Sequence, residues 1–134
     1  MINISLPGLP ARPDPKVATM RGLAGLGSMP KDVLKVLAAH TDLVELPAGT
    51  TLTTEGRYAH MMFGIVAGTV DLQVGGQTWW SAGPGDWVGQ CALARNCPAA
   101  TTAVTHGPVL AGVVGRADFR AYLAVPDLVA SLLS

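Results

Sequence analysis

Along the chain, apolar positions change period twice, and those changes mark the elements. Val33, Leu34, Leu37 and Ala38 recur at helical spacing while Lys31 and Lys35 fall off that face. Ser28 is the expected N-cap of this helix, with Pro30 and Asp32 in its first turn and an end near His40. From Asp42 the period becomes two. Leu43–Leu46 and Thr51–Thr54 read as short strands around a turn at Pro47-Ala48-Gly49-Thr50, closed by Glu55-Gly56. Met61–Val66 and Thr69–Val74 read as a hairpin about Ala67-Gly68, and Gly75-Gly76 turns the chain into Gln77–Trp80. Two further strands are expected at Ala99–Thr105 and Val109–Val114. A helix over Gly115–Leu123 follows, with Phe119, Tyr122 and Leu123 on one face. A last helical turn over Asp127–Leu133 carries Leu128, Leu132 and Leu133. Short, glycine-punctuated strands at roughly ten-residue spacing predict a mainly β sandwich or roll with helices at both ends. Residues 1–25, with Pro7, Pro10, Pro13 and Pro15, are expected to form an extended arm; residues 26–134 form the domain.

Composition narrows the function classes. At 134 residues, 49% hydrophobic and 13% charged, the chain is long enough for one packed core and too apolar for disorder. Its formal net charge is zero and its arginines are scattered, so no nucleic-acid surface is expected of it. Every apolar run is interrupted before membrane-spanning length, and Met1–Pro7 lacks the basic start of a signal peptide. Cys91 and Cys97 give no disulfide framework. The resulting expectation is a soluble cytoplasmic domain.

Between the strands stands Gly83-Pro84-Gly85-Asp86-Trp87-Val88-Gly89-Gln90-Cys91-Ala92-Leu93. Its three glycines, proline and aspartate exclude regular structure in the first seven positions and suit a tight corner that brings backbone close to a ligand. Gln90 to Ala94 are expected to form one short helical turn whose free N–H groups favour an anion. Thr101 and Thr102 then open the next strand. Trp87 is expected to pack beneath the corner.

Several linked motifs now carry a resemblance. They are Leu46-Pro47-Ala48-Gly49-Thr50-Thr51-Leu52, Thr54-Glu55-Gly56, Ile65-Val66-Ala67-Gly68-Thr69-Val70-Asp71-Leu72, the glycine corner, and Asp118-Phe119-Arg120-Ala121-Tyr122-Leu123. In this order and spacing, from about Leu26 to Leu133, the chain resembles the cyclic nucleotide-binding domain of catabolite activator (Crp/Fnr-type) regulators. The resemblance implies a β-roll, of double-stranded β-helix or jelly-roll type, with flanking helices. It makes the corner and short helix a phosphate-binding cassette. Gly89, Gln90, Cys91 and Ala92 would form its cradle, with Thr101 and Thr102 on the far wall. Family members that bind cyclic AMP or cyclic GMP place a glutamate on the ribose hydroxyl and an arginine on the cyclic phosphate. Here those positions fall on Gln90 and Ala100. An amide still hydrogen-bonds a hydroxyl without charge assistance. An alanine offers a phosphate nothing, and losing one member of a buried charge pair costs about 2–5 kcal/mol, or roughly 30- to several thousand-fold. Arg95, in the cassette loop, is the candidate substitute cation.

Competing chemistries find less support. His40, His60 and His106 show no metal-ligand spacing, so no metal site is expected. No nucleophile elbow or base spacing points to catalysis, so no catalytic residue is assigned. The two thiols read as a small buried Cys91 and a loop Cys97. Neighbours on a strand point to opposite faces, so one of Trp79 and Trp80 is expected in the core and the other outside, available to a base or a partner. The expected function is a regulatory sensor for a small anionic effector, with weak or absent nucleotide binding, no enzyme activity and no cofactor. The alternative is a ligand-free interaction or dimerisation module that meets a second copy or a regulated protein; a haem-type sensor is a further one. Regulators of this family continue into a dimerisation helix and a helix-turn-helix, so this chain alone is not expected to bind DNA.

Overall fold

The structure, a computed structural model, describes residues 14–133. Helix α1 spans Pro15–Met20, α2 Lys31–Ala39, and strands β1 Asp42–Leu46 and β2 Thr51–Thr53 follow. Then come β3 Met61–Val74, β4 Gln77–Ala82, β5 Trp87–Val88, α3 Gln90–Arg95, β6 Thr102–Gly115, α4 Phe119–Leu123 and α5 Pro126–Leu133. All six strands join one antiparallel sheet in the order β1-β6-β3-β4, with β2 on β6 and β5 on β3.

The axis of that sheet differs from the hairpins expected of the sequence. Met61–Val74 is one 14-residue strand, paired with an equally long β6 from Met61↔Gly115 to Gln73↔Thr102. Gly68 is the reason. At φ 92° it sits where the register slips between Ala67 and Thr69, and a Cβ there would lie 2.5 Å from the Pro108 carbonyl oxygen. Its positive φ thus serves a bulge that bends the paired strands and does not reverse them. Two long, bulged strands coil the sheet into a roll.

Inside the roll pack Phe63, Ile65, Val70, Ala82, Val88, Ala103, Val109 and Ala111, supported by Leu46, Leu52 and Leu72. A second cluster joins the helices to one end of the roll. It holds Val17, Met20, Leu23, Leu26, Leu34, Leu37, Trp87, Leu93, Phe119, Tyr122, Leu128 and Leu132.

That cluster corrects the expected extended arm over residues 14–25, while residues 1–13 lie outside the described part. The Asp14 side chain accepts from the Lys16 N–H, Pro15 opens α1, and Val17 and Met20 fall on one buried face. Proline at a first helical position starts a helix as readily as it breaks one. Ser28 does not cap α2, whose N-cap position is Pro30. The helix after β6 begins only at Phe119, and Leu123 faces solvent.

Candidate functional site

The glycine corner is held by its own bonds. Asp86 accepts from the Gly83 N–H at 2.9 Å, and Ile65 exchanges backbone bonds with Asp86 and Gly85 at 2.8 Å each. Ala24 is stitched on twice, donating its N–H to Gly85 and accepting from the Trp87 indole at 2.9 Å. Trp87 is buried beneath the corner as expected, its ring edge-on to Tyr122 with centroids 5.8 Å apart.

Gly89 then turns the chain into α3. It takes a left-handed φ of 86°, and a Cβ would stand 2.9 Å from the Met61 carbonyl oxygen and 3.4 Å from the Thr53 methyl. Only glycine satisfies both conditions. The first helical bond closes from Leu93 N–H to Gly89, so the amides of Gln90, Cys91 and Ala92 occupy the turn that has no intrahelical acceptor. Ala92 packs against Ala59 and Ala99, small residues that let α3 approach the neighbouring loops closely. Leu93 enters the helical cluster. The far end is fixed by Asn96 at φ 49°, whose side-chain oxygen accepts from Arg116 at 3.3 Å while Arg116 also reaches the Ala59 carbonyl at 2.7 Å.

The start of β6 is tied to the β2 edge. Thr53 donates its hydroxyl proton to the Thr101 carbonyl at 3.0 Å, and Thr102 accepts from the Glu55 N–H at 3.0 Å. The Thr101 hydroxyl makes no hydrogen bond among the described residues, so Thr101 and Thr102 are not equivalent. Gln90 is half-buried, also without a side-chain hydrogen bond among the described residues. Cys91 is exposed and Cys97 half-buried, which corrects the expectation of a buried Cys91; on a six-residue helix Ala92 and Leu93 take the inward positions.

Ala100 is exposed, and no side chain in its place carries charge. Arg95 lies exposed in the last turn of α3, at the opposite end from Gly89, where a cation also complements the helix dipole. Sequence reasoning passed over Arg57. Its carbonyl accepts from the Ala99 N–H at 2.8 Å, which sets it beside Ala100, and it lines a cavity of about 480 Å3 with Thr51, Thr53, Thr54 and His60. That pairing joins residues 42 apart in sequence and leaves no trace in local periodicity.

The remaining candidates lie elsewhere. His40 pairs with Asp118 at 2.8 Å and His106 with Asp71 at 3.0 Å. Among the described residues no three metal-capable side chains cluster, and no helix is long and apolar enough to cross a membrane. Trp79 and Trp80 are both exposed, at 65% and 50%, against the expectation that one is core. The register slips here, with Leu72 opposite Trp80 but Gln73 opposite Thr78, so Trp79 is an extra residue and strict alternation fails.

Residues 43–125 match the sequence profile described as "Cyclic nucleotide-binding domain". The chain belongs to this family. A cAMP-binding acyltransferase from Mycobacterium smegmatis superposes with TM-score 0.69 at 25% identity, over 87% of this chain and 38% of that one. The catabolite activator protein of Thermus thermophilus gives TM-score 0.69 at 18% identity, over 81% of this chain and 54% of the other. A curated relative, the Pycsar effector protein XpPycTIR of Xanthomonas perforans, is 32% identical over 92 residues, or 68% of this chain. The domain spans 30% of that relative's length. The expected β-roll with flanking helices and the family resemblance both hold.

Proposed function

We propose that this domain is a non-catalytic cytoplasmic sensor that takes a cyclic nucleotide weakly at the α3 cassette. Its occupancy would reposition α5 and so act on an output segment, a second copy or a separate regulated protein, as in transcriptional control. One observation carries the reading. The left-handed Gly89 opens α3 against Thr53, whose hydroxyl donates to the Thr101 carbonyl, and on the family motif Ala100 stands where other members carry the phosphate arginine. Backbone amides and Gln90 can hold the ring and ribose, and nothing at position 100 neutralises the phosphate.

Calorimetry with 3′,5′-cyclic nucleotides of adenine, guanine, cytosine and uracil tests this. The expected Kd is weaker than about 100 μM, and Ala100→Arg should tighten the preferred nucleotide at least about 30-fold. Low-micromolar binding by the wild type would refute the weakened cassette and turn attention to Arg57 or Arg95. The second reading, a ligand-free interaction module, draws support from the two exposed tryptophans on edge strand β4. No binding by either protein would favour it.

A further inference from the structure

The cavity of about 480 Å3 beside the cassette is not the cassette itself, since none of Gly89, Gln90, Thr101 or Thr102 lines it. Arg57, Tyr58 and His60 supply its main polar groups, Leu52, Ala59 and Met61 its apolar lining, and no carboxylate takes part. Its size suits a small molecule. Its polar groups are also unspent. Arg21 bonds the Gly27 and Met29 carbonyls, and Arg116 bonds Asn96 and the Ala59 carbonyl. His40 and His106 each hold an aspartate. By contrast, the side chains of Arg57, Tyr58 and His60 make no hydrogen bond or ion pair among the described residues. Glu55, the nearest acidic residue in sequence, accepts from the Gly75 N–H at 3.1 Å.

The walls of this cavity also support α3. The Met61 carbonyl and the Thr53 methyl are the two groups that crowd Gly89, and Ala59 packs on Ala92 of the helix. Arg116 ties the Ala59 carbonyl to Asn96 at the helix's far end. Tyr58 and Met61 nevertheless remain exposed, leaving apolar surface that a bound molecule would cover.

We infer that this cavity is a second binding site, for a small phosphomonoester with an apolar body. The Arg57 guanidinium is a fork of donors matched to phosphate oxygens, and the His60 imidazole and Tyr58 phenol each add a donor. A phosphomonoester offers three terminal oxygens to this set, where a carboxylate offers two. Leu52, Ala59 and Met61 meet the apolar body. The site stands apart from the cyclic nucleotide reading, because it fills whether or not the cassette does. Its occupant braces the loop on which α3 rests.

Phenyl phosphate is a suitable probe, followed by NMR on the full chain. Its ring should show NOEs to the Ala59 and Met61 methyl groups and should move the His60 imidazole signals saturably, whereas phenol should leave them in place. Arg57→Ala should weaken binding about 10- to 150-fold, the worth of a charge-assisted hydrogen bond. Arg120→Ala removes an equally exposed cation from α4 and should change nothing. Benzoate should bind several-fold more weakly, and equal binding would overturn the choice of phosphate. Equal losses in Arg57→Ala and Arg120→Ala would reduce the effect to bulk charge, and NOEs to Gln90 or Thr101 would put the probe in the cassette; either result overturns the second site. Failure to bind phenyl phosphate at millimolar concentration also overturns it and leaves the cyclic nucleotide reading untouched.

Discussion

Tyr122 shows how one side chain ties the helical layer to the sheet. It is fully buried, its ring edge meets Trp87, and its hydroxyl bonds that of Thr41, which donates onward to the Leu37 carbonyl at 2.7 Å. Burial penalises the phenolate and pushes the pKa up to about 12, with the Thr41 contact opposing in part. In the unfolded chain the group ionises near pH 10. Above that value the unfolded state sheds its proton first, so stability is full below about pH 10 and falls as the pH rises toward 12. Two units correspond to roughly 3 kcal/mol. Urea unfolding across that window should show the decline, and Tyr122→Phe should remove most of it at a cost of about 1 kcal/mol at neutral pH. An equal decline in the phenylalanine variant would assign the effect to other groups. The same scale marks what residue types reveal unaided. Gln90 and Ala100 owe their expected roles to a motif, whereas the exposure of Cys91 depends on which way six residues of helix roll.

Among the elements, those bounded by local chemistry were legible: α2, β1, β2, α3 and α5 fall within a few residues of their expected limits. Failures occurred where a distant partner decided the conformation. Gly68 reads as a turn until β6 lies alongside, and Trp79 alternates with Trp80 until a slip against Leu72 intervenes. The cassette obeys the same logic in reverse, since Gly89 is required by Met61 and Thr53, both distant in sequence. Gly89→Ala should therefore cost about 1–3 kcal/mol through its positive φ and the close Met61 carbonyl, and should shift the α3 amide resonances. Gly83→Ala is the contrast: a Cβ there would meet nothing within 4 Å and φ is not positive, so its cost should stay within about 0.5 kcal/mol. Urea midpoints that fall equally would mean that the positive φ and the Met61 carbonyl do not set Gly89 apart from the rest of the corner.

At the scale of the whole molecule the decisive fact is that Leu93 does not share the roll core. It belongs to the helical cluster with Met20, Leu37, Tyr122, Leu128 and Leu132, so on the proposed reading a ligand on the amides of α3 would pull on a side chain embedded among the terminal helices. Packed interiors pass on such shifts because they are close-packed and resist compression. Leu93→Ala should cost about 2–5 kcal/mol, and so should Met20→Ala, since both delete buried side chains from one cluster. Their effects on signalling should differ. Hydrogen exchange in α5 should respond to cyclic nucleotide in the wild type and in Met20→Ala, where the contact between α3 and α5 remains. In Leu93→Ala the ligand should still bind while α5 stays silent. Equal loss of the response in both variants would mean that general loosening, and not the Leu93 contact, governs how α5 hears the cassette.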